Sequence, residues 1–167
     1  MLEGLNYNDK TDAILEELDR SAARWIPEEL KGRSGEIIKE AREVLATFAR
    51  SEAYAELCGA TILGREVPFL MPWPSHAEVG VGGGRLAGPP PTLMEGRIDL
   101  LYEKGGGLWV ADYKTDRITE AEVSARMEAY RPQAQAYTEA VRQAVGRTPT
   151  GFKLIFLRLG KSVPLPL

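Results

Sequence analysis

The sequence has a single cysteine, Cys58, among its 167 residues. One cysteine permits no disulfide within the chain, which is typical of a protein in a reducing cytoplasm. The sequence also lacks an apolar run of about 20 residues, the length that a membrane-spanning helix needs. Its first ten residues contain neither the basic nor the apolar region of a secretory signal. We therefore predict a cytoplasmic protein that does not interact with a membrane.

A phosphate-binding loop of the form GxxxxGK[ST] is also absent, so we predict no ATP-driven motor of that type. The length, with 44% hydrophobic and 27% charged residues, is that of one ordinary globular domain with its own core. The net charge of −3 argues against strong stand-alone binding to nucleic acid. Residues 1–60 carry 13 acidic and 8 basic side chains, whereas residues 61–167 carry 11 and 13. The second half is therefore the better candidate for weak binding to a polyanion.

Two amphipathic helices are predicted at the start of the chain. Residues 9–30 place apolar side chains three and four positions apart, until Pro27 interrupts the pattern. Ser34 has the character of an N-cap for a second helix, which runs to about residue 58. Both helices are interpreted as packing elements with solvated acidic faces. A metal-binding role for Glu16 or Glu17 is the less favoured alternative.

The next segment, 61–70, has the composition of a first strand that carries Glu66. Pro68 indicates an edge strand or the end of regular pairing. Residues 71–92 are rich in proline and glycine, and such a long connection is either functional or a mobile loop without catalytic residues. The only histidine, His76, falls in this connection, and we do not assign it to a site.

A β-hairpin is the most informative part of the sequence. Residues 97–102 and 108–114 are rich in β-formers, and three glycines lie between them. If the turn is centred between Gly105 and Gly106, Asp99 lies directly opposite Asp112, with Cβ atoms roughly 4.5 to 5.5 Å apart. Alternation of side chains puts Lys114 on the face of Asp112, whereas Tyr113 points the other way.

Two carboxylates this close repel each other unless a cation lies between them. Carboxylate oxygens are suitable ligands for Mg²⁺ or Mn²⁺, and these ions keep several waters and take further ligands from a phosphate substrate. A neighbouring lysine can then orient the attacking water or stabilise charge at the reacting phosphate. The alternative is an exposed hairpin whose aspartates and Lys114 are simply solvated.

The rest of the chain is predicted to contain two helices and a last strand. Thr119 to Glu122 has the form of a capping box, which opens a helix to about residue 128. Pro132 suits the first turn of another helix, 131–145, which Gly146 terminates. Residues 152–159 are predicted to form a buried strand, and residues 161–167 a tail.

Four short motifs together resemble the nuclease domain of the RecB/AddA type, a branch of the PD-(D/E)XK nuclease superfamily. They are R-E-V-P-F at 65–69, G-x-x-D at 96–99, D-Y-K-T-D at 112–116 and Y-x-x-Q-x-x-x-Y at 130–137. The resemblance implies an α/β fold of the restriction-endonuclease type, with an αβββαβ core, a mixed sheet flanked by helices, and extra N-terminal helices. Within a single nuclease domain, 1–58 would form the helical part and 59–160 the catalytic core.

The resemblance also implies the composition of the site. Asp99, Asp112, Lys114 and Gln133 would be catalytic, and the metal would be bound by the two aspartates and the backbone carbonyl of Tyr113. The cofactor would be Mg²⁺ or Mn²⁺. An iron–sulfur cluster, which some relatives bind through four cysteines, is excluded by the single cysteine.

Three further residues would lie near the site in that family. Glu66 is either close to the metal or part of a salt bridge or cross-strand pair. Tyr130 and Tyr137 flank the metal site. Tyr137 is either a DNA contact or a core residue whose hydroxyl reaches the surface.

The implied function is that of a metal-dependent DNA nuclease, with exonuclease preferred over endonuclease. Its partners would be DNA and a helicase domain or subunit of the same machine, which processes double-strand DNA ends in recombinational repair. The alternative is an inactive nuclease-like module that binds DNA or another protein. A metal-binding histidine expected on the family's first helix would precede Met1, so we expect low or no activity from this chain and metal binding that is detectable mainly at high Mn²⁺.

Overall fold

A five-stranded sheet forms the centre of the protein in a computed structural model, which describes residues 4–73 and 92–166. The strands lie side by side in the order of the sequence. They are β1 (Thr61–Trp73), β2 (Thr92–Lys104), β3 (Gly107–Lys114), β4 (Gly151–Phe156) and β5 (Lys161–Leu165). Neighbouring strands are antiparallel except for β3 and β4, which are parallel.

The parallel pair requires a crossover, and a helix, α4 (Val123–Val145), supplies it. Three further helices precede the sheet: α1 (Thr11–Ser21), α2 (Ser34–Ala49) and α3 (Glu52–Cys58). This mixed sheet with flanking helices is the restriction-endonuclease-like α/β fold that the resemblance implied, and that prediction is confirmed.

Each face of the sheet buries its own core, because side chains alternate between the faces along each strand. One core joins the sheet to α2 and α3 through Phe48, Tyr54, Leu57, Leu100 and Tyr102. The other lies between the sheet and α4 and contains Val110, Ala134, Val141, Phe152 and Leu154. Strand β3 contributes to both cores, so its polar residues are fixed by packing on both sides.

The predicted N-terminal helices are shorter than the apolar pattern indicated. After α1 the chain forms two 3₁₀ segments, Ala22–Arg24 and Glu28–Arg33. Ser34 is the first residue of α2 and not its N-cap, because its hydroxyl donates to the carbonyl of Lys31, 2.5 Å away.

The second predicted helix is divided in two where Ser51 caps α3, accepting a 3.2 Å hydrogen bond from the N–H of Tyr54. The apolar periodicity continues through this break, so the pattern alone did not indicate it. Glu16 and Glu17 are exposed, in agreement with the solvated face predicted for them.

Two predictions about the second half need correction. The helices expected at 119–128 and 131–145 form one helix, α4, with Pro132 in its interior. Buried residues after the proline and partly buried ones before it pack against the sheet, and this packing outweighs the hydrogen bond that proline removes. The capping box of Thr119 and Glu122 and the termination at Gly146, with φ of 71°, are confirmed.

The segment predicted as a tail, 161–167, is not a tail, because Lys161–Leu165 is strand β5. It pairs with β4 from Phe156↔Lys161 to Phe152↔Leu165. Pro164 obscured this strand in the sequence, since proline disfavours strands except at an edge, and β5 is an edge strand. The strand predicted to extend to residue 159 accordingly ends at Phe156.

Strand β1 is the other edge of the sheet, as Pro68 indicated, and it extends to Trp73. The expectations for the proline- and glycine-rich connection and for His76 concern residues 74–91, which lie outside the described residues. Among the helices of the described residues, none is long and apolar enough to cross a membrane.

Candidate active site

The turn between β2 and β3 sets the register of the site. Gly105 and Gly106 have φ of 59° and 77°, so both occupy the left-handed region that a two-residue type I′ hairpin turn requires. The pairs run from Lys104↔Gly107 to Leu100↔Ala111. This is the predicted register, which is confirmed.

The pairing between β2 and β3 stops one step before the two aspartates. The N–H of Tyr113 donates a 2.8 Å hydrogen bond to Oδ2 of Asp99, where a regular ladder would use a backbone carbonyl. On its other side β3 remains paired with β4, where Asp112 is opposite Leu154. Strands β2 and β3 therefore separate at a point bordered by Asp99 on one side and by Asp112 and Tyr113 on the other.

Asp112 and Lys114 lie on the α4 face of β3 and form a buried ion pair. Nζ of Lys114 is 2.5 Å from Oδ2 of Asp112, and only 12% and 4% of these side chains are exposed. Gln133 of α4 joins the two residues, since it accepts a 2.9 Å hydrogen bond from Lys114 and donates one of 3.1 Å to Oδ1 of Asp112. Three of the four predicted catalytic residues are thus in direct contact.

Tyr137 lies one turn after Gln133, and its ring packs in the core, which was one of the two alternatives for it. Its ring packs at 75° against Phe69, with centroids 5.4 Å apart, and near Phe152 at 6.2 Å. Its hydroxyl accepts a 2.9 Å hydrogen bond from Nε2 of Gln133. The ring is a core element, whereas the hydroxyl belongs to the polar network of the site.

Burial raises the pKa of both aspartates above the ordinary range. For Asp99, the charge of Asp112 adds to the effect of burial, while the Tyr113 N–H and Lys114 oppose it. For Asp112, burial outweighs the hydrogen bond and charge of Lys114, and the charges of Glu66 and Asp116 raise the pKa further. The positive charge of Lys114 therefore does not fully compensate the negative charges of the two buried aspartates.

Glu66 lies at the level of Asp99 in the pairing of β1 with β2. Among the described residues other than glycine, only Glu66 has positive φ, at 49°. Its carboxylate is 3.7 Å from the guanidinium of Arg97, so the predicted alternative of a salt bridge is present. Its charge also raises the pKa of Asp112, which makes it a part of the electrostatic environment of the site.

Asp116 is a feature of the site that the sequence reasoning missed, although it ends the D-Y-K-T-D motif. Its carboxylate accepts hydrogen bonds of 3.1 and 3.0 Å from the hydroxyl of Tyr130 and is 2.5 Å from the guanidinium of Arg126. Nζ of Lys114 lies 3.8 Å from the centroid of the Tyr130 ring. Tyr130 therefore contacts the site through its ring, which lies against the ammonium group of Lys114.

The opposite face of β3 carries a second polar group that was not predicted. The hydroxyl of Tyr113 contacts that of Tyr7, and the guanidinium of Arg65 lies 5.0 Å from the centre of the Tyr7 ring. Burial raises the pKa of Tyr113 far above its usual value. The Tyr113 side chain points away from Asp112 and Lys114, as the alternation of side chains predicted, and packs against the core on that face.

The donor set determines which metal the site could hold. Within residues 4–73 and 92–166, no group of three or more His, Cys, Asp or Glu side chains converges to hold a metal ion. The available ligands are the carboxylates of Asp99 and Asp112 and the carbonyl of Tyr113. That carbonyl points toward β2, because the N–H of the same residue does. These three ligands are oxygen atoms, and two of them belong to buried carboxylates whose charge is not fully compensated. Such a set fits a hard cation that retains water.

Comparisons with known proteins identify the family of the chain. The chain is 32% identical to the A subunit of the ATP-dependent helicase/nuclease of Bacillus velezensis, over 90% of this chain and 12% of the relative. It is 31% identical to the protein of the same name from Bacillus licheniformis, over 84% of this chain and 12% of the relative. The protein of that name from Desulforudis audaxviator is 37% identical, over 60% of this chain and 8% of the relative.

The chain spans about 12% of the length of the two Bacillus relatives. The sequence model of the PD-(D/E)XK nuclease superfamily matches residues 4–164, which include all of the sheet except its last residue, Leu165, and every residue of the site. The chain therefore belongs to the PD-(D/E)XK nuclease superfamily, in the branch that includes nuclease segments of the AddA/RecB type.

Proposed function

We propose that this chain is a nuclease domain that hydrolyses phosphodiester bonds of DNA with Mg²⁺ or Mn²⁺. The observation that carries the proposal is the direct contact of Asp112, Lys114 and Gln133 at the point where β2 and β3 separate. Asp99 borders the same point from β2. These residues combine oxygen ligands for a cation with an ammonium group for a phosphate.

Asp99, Asp112 and the carbonyl of Tyr113 would hold the metal ion. When bound, the ion supplies Lewis-acid polarisation of the phosphate and a water of lowered pKa. Its charge would also offset the repulsion between the two buried carboxylates, which contributes to the raised pKa of Asp99.

Lys114 acts on the reacting phosphate. Its ammonium would stabilise the negative charge that develops when water attacks, and the buried position strengthens this interaction relative to bulk water. Gln133 contacts both Lys114 and Asp112 and fixes their relative orientation. Tyr137 orients the amide of Gln133, and Glu66 adds negative potential near Asp112.

We further propose that the domain serves a helicase-nuclease machine that processes double-strand DNA ends in recombinational repair, as an exonuclease rather than an endonuclease. The support is its similarity to one segment of proteins that are named as the A subunit of an ATP-dependent helicase/nuclease. Its partners would then be DNA and a helicase domain or subunit.

The test compares linear and covalently closed circular DNA with Mn²⁺ or with EDTA. We expect Mn²⁺-dependent degradation of linear DNA, intact circles, and a loss of about 100- to 1000-fold in Lys114→Met. Lys153→Met is the matched control, because Lys153 is also a shielded β-strand lysine, 15% exposed, that contacts a carboxylate and an aromatic ring. DNA binding without cleavage by the wild type would instead favour the inactive nuclease-like module.

A further inference from the structure

The ammonium group of Lys114 has three partners. Oδ2 of Asp112 is 2.5 Å away, Oε1 of Gln133 is 2.9 Å away, and the centroid of the Tyr130 ring is 3.8 Å away. A cation within about 6 Å of an aromatic centroid is attracted by the negative face of the ring, most strongly where water is excluded. At this distance the ring of Tyr130 is a direct partner of the lysine.

The ring of Tyr130 is itself held in place by Asp116. The Tyr130 hydroxyl donates to both oxygens of this carboxylate, at 3.1 and 3.0 Å, and Asp116 is only 8% exposed. Arg126 completes the arrangement, since its guanidinium is 2.5 Å from Asp116 and 5.4 Å from the centroid of the ring. A hydrogen bond to a carboxylate polarises the phenol and makes its ring a better partner for a cation.

The three partners of Lys114 differ in what happens when a divalent cation binds. A cation held by Asp112 competes for the same carboxylate and repels the ammonium group. The Tyr130 ring is not a ligand for such a cation, so its attraction for Lys114 persists. A lysine side chain also has about 2 kcal/mol of rotamer entropy, and a site that orders it beforehand avoids that loss during the reaction.

We propose that Tyr130, held by Asp116, is the positioning residue that keeps the Lys114 ammonium in place when Asp112 binds a cation. This inference rests on the proposed function, because it assigns Lys114 a part in phosphodiester hydrolysis. Tyr130 acts through Lys114 and not on the substrate. Asp116 and Arg126 contribute indirectly, because Asp116 holds the Tyr130 hydroxyl and Arg126 pairs with Asp116.

The kinetic test uses Tyr130→Phe, Tyr130→Leu, Lys114→Met and the double variant Tyr130→Leu/Lys114→Met on linear DNA with Mn²⁺. Tyr130→Leu is expected to lower kcat about 10- to 100-fold with little change in KM, the scale on which small misplacements act. Tyr130→Phe keeps the ring but loses the hydrogen bonds to Asp116, so its kcat is expected to lie between those of the wild type and Tyr130→Leu. In the Lys114→Met background, Tyr130→Leu has no further effect, because its influence passes through the lysine.

Trp109→Leu is the matched control: the Trp109 ring lies 4.4 Å from Nζ of Lys153, so this substitution removes a cation–π pair away from the site. Equal loss of kcat in this control would overturn the proposal by making the Tyr130 effect one of general stability. Additive losses in the double variant, or a change in KM alone, would overturn it in favour of direct contact between Tyr130 and DNA.

A second readout does not depend on cleavage. The ammonium end of Lys114 lies over the Tyr130 ring, so the NMR signals of its ε-methylene protons, assigned by their loss in Lys114→Met, are expected upfield of the other lysines. The upfield shift is expected to persist in the presence of Mg²⁺, to be reduced in Tyr130→Phe and to be lost in Tyr130→Leu. Unshifted signals in the wild type overturn the positioning role even if the protein cleaves DNA. Shifted signals without cleavage overturn the proposed function alone.

Discussion

The N–H of Tyr113 donates a 2.8 Å hydrogen bond to the side chain of Asp99, so an acidic side chain replaces a strand as the partner of β3 at the site. Without this replacement, β2 and β3 would continue to pair, and the carbonyl of Tyr113 would be used within the sheet. The bond therefore separates the two strands and orients Asp99 at the same time. The effect of a substitution at Asp99 therefore depends on whether the new side chain can still accept this hydrogen bond.

We expect Asp99→Asn to abolish cleavage while stabilising the metal-free protein. The amide oxygen can still accept from Tyr113, but the buried negative charge next to Asp112 is removed. Cleavage should fall by at least about 100-fold, and Tm in EDTA should rise. Asp19→Asn, at an exposed ion pair with Arg42, is the control and should leave both unchanged. A lower Tm for Asp99→Asn would show that the ionised carboxylate stabilises the fold.

Metal affinity should depend on pH in a direction fixed by the raised pKa values. Both aspartates retain protons to higher pH than ordinary carboxyls, mainly because they are buried. Since a cation competes with these protons, Mn²⁺ affinity is expected to fall as pH is lowered, starting above the ordinary range of carboxyl titration. Calorimetric titration at several pH values, with the proton release measured in two buffers, checks this. A constant affinity down to about pH 4, the ordinary carboxyl range, would contradict it.

The raised pKa values of the two aspartates also determine how the stability of the metal-free protein depends on pH. A carboxyl whose pKa is raised on folding binds its proton more tightly in the folded state, so this contribution to stability decreases as pH rises through the folded pKa. At neutral pH both aspartates therefore destabilise the metal-free fold. The free energy of unfolding in EDTA should recover part of this loss in mildly acidic buffer, and Asp99→Asn should reduce the recovery.

Glu56 is expected to have the opposite dependence on pH. Burial raises its pKa, but the hydrogen bond and charge of Lys153 and the hydroxyl of Tyr102 outweigh this, and the net pKa lies below the ordinary value of 4.5. Its stabilising contribution is therefore present above pH 4.5 and lost as pH falls through the folded pKa. Urea denaturation of Glu56→Gln should give a loss of about 1–3 kcal/mol at neutral pH that shrinks as the buffer is made more acidic than the folded pKa. Cleavage should be unchanged.

Gly106→Ala tests the turn that sets the register. Its φ is 77°, and a Cβ there would have no atom within 4 Å, so the cost comes from the backbone alone. We expect a loss of about 1–2 kcal/mol in the free energy of unfolding. Gly35→Ala in α2 is the control, since it also has free space but an ordinary φ. It should stabilise by roughly 0.5–1 kcal/mol. Equal effects of the two substitutions would contradict the left-handed turn.

Local chemistry was sufficient to predict the hairpin, the capping box at Thr119 and the helix end at Gly146. Each depends on residues close in sequence whose conformational preferences agree, above all the glycines that tolerate positive φ. The register followed from the turn, and alternation then put Asp112 and Lys114 on one face. The motifs quoted from the sequence also identified the family.

Sequence reasoning failed where a distant contact outweighed a local preference. Pro132 signalled a new helix, but packing of α4 against the sheet keeps the helix continuous. Pro164 signalled a tail, but pairing with β4 makes its segment an edge strand. In both cases local preference was weaker than the burial and hydrogen bonding that the whole fold supplies.

The sequence by itself determined which groups the candidate site contains: two aspartates, a lysine and a glutamine at spacings that β2, β3 and α4 bring together. Only the tertiary structure decided how each is held. The side chain of Asp99 replaces a strand as the partner of Tyr113, and Tyr130, 16 residues beyond Lys114, supplies the ring on which the ammonium rests. The contact of Tyr130 with Lys114 depends on where α4 crosses the sheet, and that position results from the packing of side chains distant in sequence, which no local pattern encodes.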